Sequence, residues 1–297
     1  MLSLSQPARG HAAMLAFSLG VAGSFSLGGL AANEIDPVVI TAARFAATAP
    51  LMAVIAAVGP GFRKQDAAAP WRYIIPGALM AVYFVLMFEG LKTATAVSTS
   101  AVFTLTPVMS GIFGWILLRQ VTTPRMAMAL AVGAAGALWV IFRADLEALL
   151  AFRVSRGEAV FFVGCIAHAL YTPIVRKFNR GESPAVFVFG MAFSGAVLLN
   201  LYGWDAITET DWANLPPIVW VTLAYLTLIS TTLTFLAVNY AALRLPAAKV
   251  MAYTYLTPSW VILWEWGLGH GFPSPAILAG VAATIVALLI LLHQEKG

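Results

Sequence analysis

Four ionisable side chains, Arg44, Glu89, His168 and Glu265, interrupt long apolar runs in this sequence. A charge inside such a run is costly unless it is paired or faces a polar interior, so each marks a candidate site. Glu89 stands three residues before Lys92, a spacing for a solvated ion pair near a helix end. Arg44 and Glu265 lie at similar depths, about seven and about five residues below the same ends of their segments at about 1.5 Å per residue. They are expected to pair or to form a gate. His168 lies mid-segment, where a histidine can relay protons or serve as a neutral hydrogen-bonding wall. The neutral role beside Tyr171 is the preferred reading.

Pro107 and Pro258 each stand in the middle of an apolar run. A proline there removes one i→i−4 hydrogen bond and crowds the carbonyl four residues back. Those carbonyls belong to Phe103 and Thr254. In hydrocarbon a freed carbonyl must face protein, water or a ligand. Matching breaks in two halves of a chain point to a binding site. Tyr253, Thr257, Trp260 and Trp264 recur at i, i+4, i+7 and i+11, which is one helical face. Aromatic bodies with polar tips suit an amphipathic solute. Trp266 is read as an interfacial aromatic. Near Pro107, Thr99, Thr106 and Ser110 share a face. Another run carries Ser230, Thr231, Thr232, Thr234 and Asn239, and many such hydroxyls are expected to bond back to their own helix. The expected substrate-binding set is therefore Tyr83, Thr99, Phe103, Thr106, Pro107, Ser110, His168, Tyr171, Asn239, Tyr253, Thr257, Pro258 and Trp260, with Arg44 and Glu265 as gate or ion pair.

The elements that position these residues follow from composition. Of 297 residues, 61% are hydrophobic and 10% are charged, against about 25% charged in soluble domains. Lipid must be part of the solvent. Ten segments are long and apolar enough to span: 11–32, 37–58, 72–91, 95–118, 125–142, 158–177, 184–203, 217–242, 248–269 and 274–292. With the N-terminus inside, twelve of the 17 basic residues fall in cytoplasmic segments, among them Arg63, Lys64, Arg72, Arg119, Arg176, Arg244 and Lys296. Both termini are then cytoplasmic. Arg9 before an apolar stretch and Ala31-Ala32 imitate a secretory leader, but cleavage would leave nine helices, so the segment is read as the first span.

Shifted by 151 residues, 84–131 align with 235–282 without a gap. Phe84 meets Phe235, Leu105-Thr106-Pro107 meets Leu256-Thr257-Pro258, and Trp115 meets Trp266. The chain is thus expected to be an all-α membrane protein of two five-helix repeats, 1–147 and 148–297. Five is odd, so the second repeat inserts upside down, the arrangement of many secondary transporters.

These residues resemble the EamA type of the drug/metabolite transporter superfamily, over nearly the whole chain. The resemblance is carried by Arg44-Phe45, by His168-Ala-Leu-Tyr171 ending in Arg176-Lys177, by Asn239-Tyr240-Ala-Ala-Leu-Arg244-Leu-Pro-Ala247, and by Thr104-Leu-Thr-Pro107 with Tyr255-Leu-Thr-Pro258. Where many relatives carry Gly-Glu-Arg-Leu-Thr after the fourth and ninth helices, this chain has Arg119-Gln120-Val-Thr-Thr and His270-Gly271-Phe-Pro-Ser. The resemblance implies export or exchange of small organic solutes, with a central cavity lined mainly by helices 1, 3, 4, 6, 8 and 9.

No phosphate-binding Gly-x-x-x-x-Gly-Lys-Ser/Thr, no His-Glu-x-x-His and no Gly-x-Ser-x-Gly occurs. Cys165 is the single cysteine. No cofactor, metal or nucleic-acid partner is expected. The expected activity is that of a secondary transporter in the bacterial inner membrane, with amino acids favoured and a monomer compatible. An intramembrane enzyme using His168, or a structural subunit of a membrane complex, are the alternatives. The enzyme requires a Ser/Thr–His hydrogen bond and an acidic orienter.

Overall fold

A computed structural model describes residues 6–59, 61–151 and 153–292. The elements are α1 (Gln6–Ala31), α2 (Pro37–Val58), α3 (Trp71–Leu91), α4 (Ala96–Leu118), α5 (Pro124–Ile141), α6 (Arg156–Phe178), α7 (Pro184–Tyr202), α8 (Pro217–Ala242), α9 (residues 247–267) and α10 (Pro275–Leu292). Among the described residues, nine of these helices are long and apolar enough to cross a membrane. The segment expected at 248–269 is instead divided into Ala247–Ala252, a tight turn Tyr253–Leu256, and Thr257–Gly267. Pro258 withholds the hydrogen bond that would have kept it continuous. Lys296, counted with the inner basic residues, lies outside the described residues.

Local chemistry sets the helix starts. Proline occupies the first turn of α2, α5, α7 and α8, where its missing N–H costs nothing. The side chains of Asp36, Thr123 and Ser183 accept hydrogen bonds from the first-turn N–H groups of α2, α5 and α7. Ser155 and Glu158 form a reciprocal capping box at α6.

Packing relates elements in matched pairs. α3 packs on α6 as α1 packs on α8, and the second half of α4 lies on α6 as the second half of α9 lies on α1. The two pieces of α4 cross the two pieces of α9, while α2 pairs with α7 and α5 with α10. Glycines allow the closest approaches. A Cβ on Gly157 would lie 2.4 Å from the Gly90 carbonyl oxygen, and one on Gly136 would lie 2.6 Å from that of Gly280. Small residues at such crossings are what lets helices pack without a hydrophobic drive. Large apolar side chains such as Leu19, Ile112, Phe193 and Leu289 point outward.

One end of the bundle is basic. There the α2–α3 and α6–α7 connections are clasped: Arg72 is bonded to Glu182 and donates to the Phe178 and Ala68 carbonyls at 2.8 and 3.0 Å. Tyr73 donates to the Asp66 carbonyl at 2.8 Å, and Arg63 bridges Asp66 and the Gly181 carbonyl. At the same end, Arg176 reaches the Leu245 carbonyl, and the Ala247 N–H donates to Gln120.

Candidate functional site

The two helix breaks meet inside the bundle. Thr106, at the break of α4, lies 3.3 Å hydroxyl to hydroxyl from Thr254 in the tight turn of α9, and both are fully buried. The Thr106 hydroxyl also donates to the Phe103 carbonyl at 2.7 Å, the very carbonyl that Pro107 frees. In α9 the Thr254 carbonyl is taken up instead by the Thr257 N–H, as a three-residue turn requires. A Thr106→Val protein, which leaves the Phe103 carbonyl without a donor, should lose about 1–3 kcal/mol of stability. Thermal unfolding in detergent measures this, with Thr106→Ser as the variant that keeps the bond.

Beside this crossing lies a cluster of buried rings from α1, α3, α4, α6 and α8. His168 sits with its ring 4.5 Å from Tyr83 and 4.9 Å from Phe103, and Phe25 and Phe161 close the other side of Phe103. Tyr171 stacks on Phe235 at 5.6 Å, and its hydroxyl accepts a hydrogen bond from Asn239 at 2.8 Å. The expected His168–Tyr171 partnership is therefore corrected. The histidine packs against α3 and α4, and the tyrosine is claimed by α8. His168 Nδ1, the Tyr83 hydroxyl, Asn239 Oδ1, Thr172 Oγ1 and Thr257 Oγ1 are buried without a hydrogen-bond partner. Unpaired buried polar atoms are costly. Three of these, on His168, Tyr83 and Asn239, belong to the cluster and give it the means to hold a polar solute. His168 has no hydrogen bond to a serine or threonine among the described residues, so the hydroxyl–histidine arrangement of the enzyme reading is not formed.

Arg44 enters this region from α2, fully buried, its guanidinium 3.5 Å over the Phe84 ring. It is bonded to Thr231 through Nε and to Ser230 through Nη2 at 3.1 Å. Both hydroxyls come from Leu226–Leu233, where α8 widens into a π-helix. Thr231 and Thr232 return hydrogen bonds to carbonyls five residues back, at 2.7 Å each, so hydroxyls satisfy the widened turn.

The expected pairing of Arg44 with Glu265 is not present. Glu265 is bonded to His270 at 2.7 Å and lines a cavity of about 390 Å³ with Arg143 at the end opposite the basic one. Similar depth in the sequence did not bring the two together, because the widened turn of α8 supplies Arg44 with nearer acceptors. The stripe on α9 does share a face, but α1 covers it. Tyr253 is hydrogen-bonded with His11 at 2.9 Å, Trp260 donates to Ser18 at 3.2 Å, and Trp264 approaches Gly23. Thr99 bonds back to the Thr95 carbonyl in its own helix, and Ser110 donates across to the Ala169 carbonyl of α6. Glu89 pairs with Lys92 at 2.8 Å, as its spacing suggested. The sequence reading missed Phe84, Ser230 and Thr231 as neighbours of Arg44, and Phe235 as the ring beside Phe84. The repeat alignment of Phe84 with Phe235 was the available signal, since the two rings meet at 5.9 Å.

The profile of the EamA-like transporter family matches residues 8–142 and again residues 155–293. The chain is similar to the uncharacterized transporter YyaM of Bacillus subtilis (strain 168), 24% identical over 258 residues that cover 86% of this chain and 85% of the relative. A solved crystal structure, described only as that of a protein, superposes with a TM-score of 0.71, 19% identity, and coverage of 98% of this chain and 99% of its own. That likeness concerns the fold alone.

Proposed function

We infer that this chain, which belongs to the EamA-like transporter family, is a secondary transporter that moves a small organic solute, amino acids foremost, across the bacterial inner membrane by alternating access. The observation that carries this reading is the meeting of the two proline breaks, Thr106 against Thr254 at 3.3 Å, beside a cluster of buried and partly unpaired polar groups. Two broken helices crossing at one polar spot are how transporters build a midplane site.

The matched packing pairs support two repeats, 1–147 and 148–297, in opposite sense. Helices 3 and 6 correspond to 8 and 1, and helices 4 and 6 to 9 and 1. In this reading α9 is a tenth span despite its break, and the basic end faces the cytoplasm. The bundle is then closed at its centre, with Tyr83, Phe103, His168 and Tyr171 at most 2% exposed. Solute enters when the halves rock apart at one end.

Uptake into liposomes containing the purified protein, screened across amino acids, nucleosides and quaternary amines at several pH values, tests the reading. Absence of uptake and of counterflow for every class would overturn it. Pro107→Ala with Pro258→Ala restores two helical hydrogen bonds and should lower uptake at least about tenfold while leaving the protein folded. A His168→Gln protein should keep the pH profile of uptake, because the ring serves as a neutral wall. A flattened profile would assign it a proton.

A further inference from the structure

Two arginines in the bundle are almost wholly buried, Arg72 at 1% and Arg44 at 0% exposure. Arg72 has its carboxylate in Glu182. Arg44 has none. The three buried acids among the described residues are engaged elsewhere: Asp66 with Arg63, Glu182 with Arg72, and Glu158 with Ser98 and the Ser155 N–H. What Arg44 has is two hydroxyls, the face of Phe84, and an Nη1 with no hydrogen-bond partner. Hydroxyls and a ring partly solvate a guanidinium, but they do not neutralise it, and an uncompensated charge at this depth is costly.

We propose that Arg44 is the docking point for the carboxylate of the transported solute, which makes the substrate class a mono-anion or zwitterion with an apolar body. This rests on the transport reading above. The free Nη1 and its neighbour Nη2 offer the planar fork that a carboxylate takes up side by side. The hydroxyls of Ser230 and Thr231 hold that fork from behind. Phe84 continues the surface from the guanidinium into the ring cluster, 4.7 Å from Tyr83 and 5.9 Å from Phe235, so a solute anchored at Arg44 lays its body among aromatic faces. No second cation adjoins Arg44 in the described residues. The site therefore matches one negative charge rather than the two of a phosphate monoester.

The test pairs each common L-amino acid with its carboxamide, which differs only in the charge at one end. Melting of the purified full-length protein in detergent reports binding. At least one acid should stabilise the wild-type protein, its carboxamide binding about tenfold or more weakly. Arg44→Gln should abolish the preference and Arg44→Lys should retain part of it. Gel filtration and helical circular dichroism check that both variants are folded. If Arg44→Gln does not fold, modification of the wild type by phenylglyoxal, mapped at Arg44, takes its place; the acid should protect and the carboxamide should not. Equal binding of acid and amide, a preference that survives in Arg44→Gln, or no carboxylate bound at all would overturn the proposal. Liposome uptake of a solute without a carboxylate would do the same while leaving the transport reading intact.

Discussion

A Glu182→Gln protein is expected to lose about 3–5 kcal/mol of stability, because it leaves the buried Arg72 guanidinium without its counter-charge. The pair closes the clasp between the α2–α3 and α6–α7 connections, with both side chains 1% exposed. Arg72→Gln should cost a similar amount. The double replacement should cost clearly less than the sum, since neither charge is then stranded. Unfolding in detergent, compared across the four proteins, measures the coupling. The pH dependence has a definite sign. Burial works against the Glu182 carboxylate, but hydrogen bonds from the Arg180 N–H and from Arg72 outweigh it and hold its pKa below the ordinary 4.5. A depressed carboxylate stabilises fully above its unfolded value, and that stability is lost as pH falls toward and through the folded one. The melting temperature of the wild type should therefore fall on acidification below about pH 4.5, and that of Glu182→Gln should fall less.

The second large effect is steric. Gly157→Leu should cost at least about 3 kcal/mol and spread α3 from α6. Even a Cβ there would lie 2.4 Å from the Gly90 carbonyl oxygen and 2.6 Å from the Thr93 hydroxyl. One obstacle is backbone, which has no rotamer by which to escape. Gly29, where an added Cβ meets nothing within 4 Å, is the matched control. Gly29→Ala should melt within about 0.5 kcal/mol of the wild type. Melting of the two variants side by side decides the matter, and equal stability would show that α3 and α6 can separate freely.

Much of this architecture is legible in the chain itself. The 37–58 and 217–242 segments agree with the observed helices because proline fixes their starts. The meeting of the two breaks was legible too, since a proline in mid-span and its image 151 residues on both free a carbonyl. What escaped notice depends on contacts between distant positions. Arg44 finds its acceptors 186 and 187 residues away. Equal depth along two helices says nothing about whether they are neighbours, and Glu265 was paired on depth alone. Arg72 and Glu182 were ordinary loop charges in the sequence. Only the docking of two connections makes them a buried pair. The aromatic stripe of α9 had the right periodicity, but periodicity names a face without naming what lies against it, and α1 does.

The wide turn of α8 has a consequence for how this span tolerates changes in length. Its carbonyls are served from five residues ahead, so the stretch Leu226–Leu233 holds one more residue than an ordinary helix needs. Deleting a single residue there would let the ladder close in the usual way, with no hydrogen bond left over. The remainder of the rod would then keep its facing, with Asn239 still against Tyr171, whereas the same deletion from an ordinary turn would swivel it by about 100°. Such a deletion variant would be expected to remain helical and to present the same side chains beyond the turn, changing only the widened stretch whose hydroxyls hold Arg44.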